Sequence, residues 1–169
     1  APLRAVIELP AEAPLVLGAD LPTVGYNSPV LAVSPDGSLI AYVAKTARAQ
    51  LLYVIDTATG AVSPLPGTEG AIHPFFSPDG EWLGFLTSDR VKKIAPRGGE
   101  VRSLCQARTP VLASWAAPDV IHFTEDETRT LSSVEAGGGV PKALFSVDEV
   151  HVPRVLISDV LPGGGAAIL

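Results

Sequence analysis

Short apolar runs separated by turn residues recur along the chain, four of them in each unit of about 42 residues. The runs are rich in β-branched and aromatic residues, and helical spacing of apolar positions is not sustained. The pattern therefore predicts short β-strands. They are 29–33, 39–44, 51–56 and 62–65 in the first unit, 72–76, 82–87, 91–95 and 101–104 in the second, and 111–115, 120–124, 131–135 and 140–145 in the third.

A four-residue turn motif, Ser-Pro-Asp-Gly, marks the repeat and recurs after 43 positions. Its residues are Ser34, Pro35, Asp36 and Gly37 in the first copy and Ser77, Pro78, Asp79 and Gly80 in the second. Degraded copies begin at Ala117 and Leu161, with Val120 in place of the glycine and Gly163 in place of the aspartate. Proline presets φ for a type I turn, aspartate bonds local amides, and glycine adopts the left-handed conformation. The motif predicts a tight turn between the first two strands of each unit.

A second set of glycines gives an independent register. Gly60, Gly99 and Gly139 are spaced by 39 and 40 positions, and apolar residues stand at matching distances before and after each of them. These glycines predict the turn between the third and fourth strands of each unit.

Four short antiparallel strands repeated every 40–45 residues are typical of β-propeller blades. A blade cannot bury both of its faces alone and needs neighbours. A sandwich is the rival fold, but it gives no reason for a four-strand period. We therefore predict one all-β partial propeller over 1–169. Its blades are 27–66, 70–105 and 111–146, with a half blade at 151–169 and a spare N-terminal strand at 3–9.

So few blades would leave apolar blade faces open to water. Three outcomes follow: the chain is a fragment of a longer propeller, it pairs with a second copy, or it binds a different protein across the open faces. Our hypothesis is a homodimer held by blade-to-blade contact, with about seven or eight blades in total. This hypothesis rests on two features: the half blade, which stops inside a strand at Leu169, and the spare N-terminal strand.

The segments LAVSPDGSLIAYVA and PFFSPDGEWLGFLTSD carry a family resemblance. They resemble the WD40-like PD40 repeat of TolB-like propellers, and they look closer still to the propeller sensor regions attached to bacterial serine/threonine protein kinases. The same repeat occurs in the gating propellers of prolyl oligopeptidase-like peptidases. In those peptidases the blades gate access and do no chemistry. The family resemblance points to an extracytoplasmic location.

Composition narrows the classes of partner. The net charge is −6 and the 12 Lys and Arg are scattered, which argues against a basic face for nucleic acid. Cys105 is the single cysteine, so neither an internal disulfide nor a cysteine-based metal site is expected. No run approaches the ~18 apolar residues of a membrane span, so we expect a soluble chain without membrane insertion.

The candidate chemistry is sparse. His73, His122 and His151 are spaced by 49 and 29 positions, which suits no local metal motif, and we expect them to be structural. The acidic run 125–127 lacks the glycine turn of a calcium loop and reads as a solvated loop. Trp82 and Trp115 fall on predicted strands and are expected to pack in the core.

No catalytic residue, cofactor site or metal site is therefore predicted, and the residues singled out are those of the turns. The preferred interpretation is a non-catalytic interaction or scaffold module that binds another copy of itself or another protein. The alternatives are a propeller that senses a small molecule or peptide for a signalling kinase, and a gating propeller of a peptidase.

Overall fold

The computed structural model describes residues 8–16 and 29–146, and the strand backbone of 157–161 and 165–168. The described residues form fourteen β-strands, and no helix among them is long and apolar enough to cross a bilayer. Twelve of the strands make three antiparallel sheets of four strands each. The predicted all-β fold of four-stranded antiparallel blades is confirmed.

Each blade uses four consecutive strands in sequence order. Blade 1 consists of β1 (Leu31–Val33), β2 (Leu39–Lys45), β3 (Gln50–Asp56) and β4 (Val62–Pro64). Blade 2 consists of β5 (Ile72–Phe76), β6 (Leu83–Leu86), β7 (Arg90–Ile94) and β8 (Arg102–Gln106). Blade 3 consists of β9 (Pro110–Ala117), β10 (Val120–Glu125), β11 (Thr130–Glu135) and β12 (Lys142–Ser146).

The fourth unit forms a hairpin of β13 (Ile157–Leu161) and β14 (Gly165–Ile168). Of the half blade predicted at 151–169, residues 151–156, 162–164 and 169 lie outside the described residues. The predicted turn began at Leu161, which instead pairs with Gly165 at the end of the hairpin.

The blades pack side by side with their first strands innermost, because β1 contacts β5 and β5 contacts β9. We call the face of a blade that points to the next blade its forward face, and the opposite face its rear face. The Phe75 ring lies 6.0 Å from the Trp115 ring of blade 3, so Phe75 is on the forward face of blade 2. Gly84 pairs with Phe75, and because side chains alternate, Leu83 and Phe85 point rearward to blade 1.

The main core lies between the blades. The rear faces of blades 2 and 3 contribute Leu83, Phe85, Ile121 and Phe123, all of which are fully buried. The forward face of blade 1 meets Leu83 and Phe85 of blade 2 with short and branched side chains such as Ala41. Stacking thus buries both faces of blade 2.

An N-terminal segment, residues 8–16, lies on blade 1. Leu15 forms an antiparallel bridge with Ala44, and the Val16 amide donates to the Val43 carbonyl at 3.0 Å. The Tyr42 hydroxyl donates to the Ala13 carbonyl at 3.1 Å. Of the spare strand predicted at 3–9, residues 3–7 lie outside the described residues, and residues 8 and 9 are not in a strand. The described part of this segment therefore contacts the first blade.

Candidate interaction surface

The rear face of blade 1 has no preceding blade among the described residues. Its exposed apolar side chains are on β1, where Leu31 is 45% exposed and Val33 is 52% exposed. Beside them Ile40, Tyr53 and Val62 are half-buried against a small cluster built on Tyr42, Ala13, Ala44 and Ile55. We call Leu31, Val33, Ile40, Tyr53 and Val62 the open flank.

The matching positions of blade 3 are covered. The pair Val33–Ile40 of blade 1 corresponds to the pair Trp115–Ile121 of blade 3. Trp115 is only 7% exposed, whereas Val33 is 52% exposed. Leu31, two residues earlier, matches Ala113, which is also buried. The open flank is therefore the surface that a blade normally buries against its predecessor.

The open flank carries neutral groups at its centre. The Tyr42 and Tyr53 rings lie 5.7 Å apart, and the Tyr42 hydroxyl bonds the Ala13 carbonyl. Burial raises the pKa of Tyr42 to about 12, so this phenol stays protonated at neutral pH. A surface of this kind can bind an apolar partner without desolvating a charge.

The first predicted turn is closed by its own residues. The Gly37 amide donates to the Ser34 carbonyl at 2.8 Å, and Gly37 has a φ of 72°. The Ser34 hydroxyl donates to Asp36 at 2.6 Å and accepts from the Leu39 amide at 2.9 Å. The Ser34 hydroxyl and the Ser38 groups hold the pKa of the exposed Asp36 carboxyl down at about 2.

The second turn repeats this arrangement. The Ser77 hydroxyl donates to Asp79 and accepts from the Trp82 amide at 2.9 Å, and Gly80 has a φ of 73°. The Ser77 hydroxyl likewise lowers the pKa of Asp79. A Cβ on Gly80 would lie 3.7 Å from the ring of Pro35, so the two turns lie side by side.

The glycines of the other turns also have positive φ. Gly60 (72°) donates to the Asp56 carbonyl at 2.8 Å, and Gly99 has a φ of 134°. The Gly139 amide donates to the Leu104 carbonyl of blade 2 at 2.9 Å. The turn of blade 3 therefore also joins two blades.

His73 lies between blades 2 and 3. It is 5% exposed, and its Nε2 lies 2.8 Å from the carbonyl oxygen and 2.9 Å from the amide nitrogen of Ala113. Burial lowers its pKa to about 4, which keeps the imidazole neutral. The structural role expected of His73 thus fits its geometry.

His122 and Thr124 lie on the forward face of blade 3. The His122 Nδ1 and the Thr124 hydroxyl are buried, and neither has a hydrogen-bond partner in the described part of the chain. Burial lowers the pKa of His122. His122 stands between Ser114 and Ser133 of the neighbouring strands. His151 lies outside the described residues.

The acidic run contributes one structural carboxylate. Glu125 accepts from the Arg108 amide and from the Ser132 hydroxyl, so it ties the loop before β9 to β11. This part of the run is therefore bonded to the protein and is not simply solvated. Within the described ranges, no group of three His, Cys, Asp or Glu is placed to hold a metal ion.

The two tryptophans differ. Trp115 is buried and donates its indole N–H to the Pro118 carbonyl at 3.0 Å, as expected for a core residue. Trp82 is half-buried, precedes β6, and stacks with the side chains of Lys93 and Arg102. The sequence analysis missed this stack.

A cavity of about 330 Å³ opens between blades 1 and 2. Its lining includes the apolar residues Leu39, Val54 and Leu65. An ion pair from Arg97 to Asp56, at 3.3 Å, lies at its edge and joins the two blades. Three backbone and hydroxyl donors within its own turn also bind the Asp56 carboxylate, so the pair is structural.

Solved structures of several propeller proteins resemble this arrangement. TolB from Acinetobacter baumannii superposes with a TM-score of 0.64 at 21% identity, covering 83% of this chain and 37% of that one. The fold is that of β-propeller blades. A TolB-type protein from Agrobacterium tumefaciens gives a TM-score of 0.54 at 21% identity, covering 68% of this chain and 47% of that one.

The AtxE2 isopeptidase also resembles the chain, with a TM-score of 0.57 at 14% identity over 87% of this chain and 37% of that one. At these identities the likeness shows the fold alone. The chain spans less than half the length of each of these three proteins. No protein-family model matches the sequence, and no curated protein matches it.

Proposed function

We propose that this chain is a non-catalytic β-propeller module that binds protein through the open flank of blade 1, and that its partner is a second copy of the chain. The observation that carries the proposal is the exposure of Leu31 and Val33 at positions that blade 3 buries. The natural occupant of such a face is another blade, because blades 2 and 3 each bury the same face against a blade.

The gain from covering the flank is modest for each residue. Complete burial of a Val or Leu side chain stabilises by about 1.5–3 kcal/mol, so covering the exposed half of Leu31 or Val33 contributes about 1 kcal/mol each. Ile40, Tyr53 and Val62 add to this because they are also only half-buried. In a closed dimer the open flank of each copy would be covered by a blade of the other copy, so two such contacts would form together. Most homo-oligomers have closed symmetry of this kind.

Three features of the titratable groups support a non-catalytic role. The Asp36 carboxylate closes a turn, and the His73 imidazole bonds the backbone of the next blade. Burial raises the pKa of the Cys105 thiol to about 11, which disfavours the nucleophilic thiolate. Turnover of an ester or peptide that is lost on changing one His or Ser would refute this part of the proposal.

Light scattering coupled to gel filtration tests the self-association. We expect a dimer at micromolar concentration, and we expect the exposed-site variant Leu31→Asp/Val33→Asp to be a folded monomer. Val140→Asp is the matched control, because Val140 is an exposed apolar residue (93%) in the loop before β12 and outside the open flank. A wild-type monomer throughout the micromolar range, or a dimer that survives the double change, would overturn the proposal.

A further inference from the structure

Two cationic side chains lie against one indole ring on the forward face of blade 2. The Lys93 ammonium is 4.1 Å from the centre of the Trp82 ring, and the Arg102 guanidinium is 5.0 Å from it. Lys93 and Arg102 also stand directly opposite each other on β7 and β8. Like charges in that relation repel, so the pair needs a compensating group.

The Lys93 side chain is largely buried, and its ammonium has no ionic partner in the described part of the chain. The residue is only 7% exposed, and its ammonium forms no hydrogen bond or ion pair within residues 29–146. Burial and the Arg102 charge lower its pKa, and the Asp79 carboxylate opposes them. Asp79 itself is bound to the Ser77 hydroxyl and the Glu81 amide. Lysines with so little exposure are normally paired, whereas the Lys93 ammonium has no counter-ion within the described residues.

The cluster offers donors and no acceptor. Lys93 has three N–H groups, Arg102 has five in a planar fork, and Trp82 has its indole N–H. None of these groups makes a hydrogen bond to the described residues. Such a fork beside an ammonium matches the paired oxygens of a carboxylate or phosphate.

We propose that Trp82, Lys93 and Arg102 bind an oxyanion, either a carboxylate or a phosphate group. Lys93 neutralises its charge, Arg102 donates to two of its oxygens, and the Trp82 ring holds the two cations in place. The site lies on blade 2 and not on the open flank, so it does not depend on self-association. Lys92, the neighbouring residue, points to the opposite face of β7 and takes no part.

Fluorescence of Trp82 tests the site directly. In a Trp115→Phe background Trp82 is the sole tryptophan. This protein is titrated with sodium phosphate in one arm and with sodium acetate in another, at constant ionic strength. We expect a saturable change in emission in at least one arm. Saturation by acetate assigns a carboxylate ligand, and saturation by phosphate alone assigns a phosphate ligand.

Matched variants identify the groups. Lys93→Met keeps the unbranched stem of the side chain and removes its charge. We expect this variant and Arg102→Met each to bind the anion about tenfold more weakly, or weaker still. Lys92→Met should leave the dissociation constant unchanged. If Trp115→Phe does not fold, calorimetric titration of the unmodified protein and of Lys93→Met replaces the fluorescence. A linear, non-saturating response in both arms, or equal affinity in Lys93→Met, would overturn the proposal.

Discussion

Replacement of His73 by asparagine tests how a buried imidazole couples blade packing to pH. The side chain is 5% exposed and its Nε2 lies within 3 Å of both the amide and the carbonyl of Ala113. Burial lowers its pKa from 6.5 to about 4. Asparagine suits the site because it has no titratable ring and tolerates the positive φ of 49° found there.

The direction of the effect follows from proton linkage. Well above pH 6.5 the imidazole is neutral in both the folded and the unfolded chain, so its titration does not change the free energy of unfolding. Between pH 6.5 and about 4 the unfolded chain binds a proton that the folded protein does not, so stability is lost as the pH falls through this window. At about 1.4 kcal/mol per pH unit, the loss reaches about 2.5 kcal/mol at pH 4.5.

Urea unfolding followed by circular dichroism at pH 7.5 and pH 4.5 measures this loss. We expect the wild-type protein to lose about 2.5 kcal/mol more than His73→Asn between the two values. His122→Asn is the control, since burial lowers the pKa of His122 while its side chain is only half-buried. It should therefore remove less of the pH dependence. Equal losses in wild type and His73→Asn would refute the reasoning.

Two further predictions concern packing and reactivity. A Cβ on Gly84 would overlap the Phe75 ring, so Gly84→Ala should lower the free energy of unfolding by about 1–3 kcal/mol, whereas Gly137→Ala, with open space around it, should change it by less than about 0.5 kcal/mol. Because the Cys105 thiol is 7% exposed and its pKa is raised to about 11, a thiol reagent at pH 8 should react slowly with the native protein and quickly in urea. Immediate reaction of the native protein would contradict this.

The turns could be predicted because their chemistry is local. Proline, aspartate and glycine at fixed offsets specify the conformation of four residues whatever surrounds them. The bonds of Ser34 to Asp36 and to the Leu39 amide are made within this short stretch. The period of the motif then fixes the number of strands per blade.

The strand ends could not be predicted as well, because they depend on neighbouring strands. Trp82 was assigned to a strand, but its amide and carbonyl groups close the turn with Ser77, and β6 begins one residue later. The pairing of β5 with β6 shifts register between Ile72 and Phe75, around the positive φ of His73. No local pattern in the sequence signals such an irregularity.

The candidate sites were only partly visible in the sequence. Alternation places Leu31 and Val33 on one face, but the open or covered state of that face depends on the packing of whole blades. The stack on Trp82 had a signal that was not used. Two consecutive lysines on one strand, Lys92 and Lys93, must point to opposite faces, so in a blade between two others each of them faces a neighbouring blade.

The turn of blade 3 illustrates how this repeat tolerates a change of length. In blade 1 four residues separate the paired Ser34 and Leu39, whereas in blade 3 two residues separate the paired Ala117 and Val120. Val120 is therefore the first residue of a strand and does not need the left-handed conformation that Gly37 adopts in the longer turn. A register shift between Val120 and Ile121 absorbs the shortening, so Trp115 and Ile121 stay on the same face of blade 3 as Val33 and Ile40 do in blade 1.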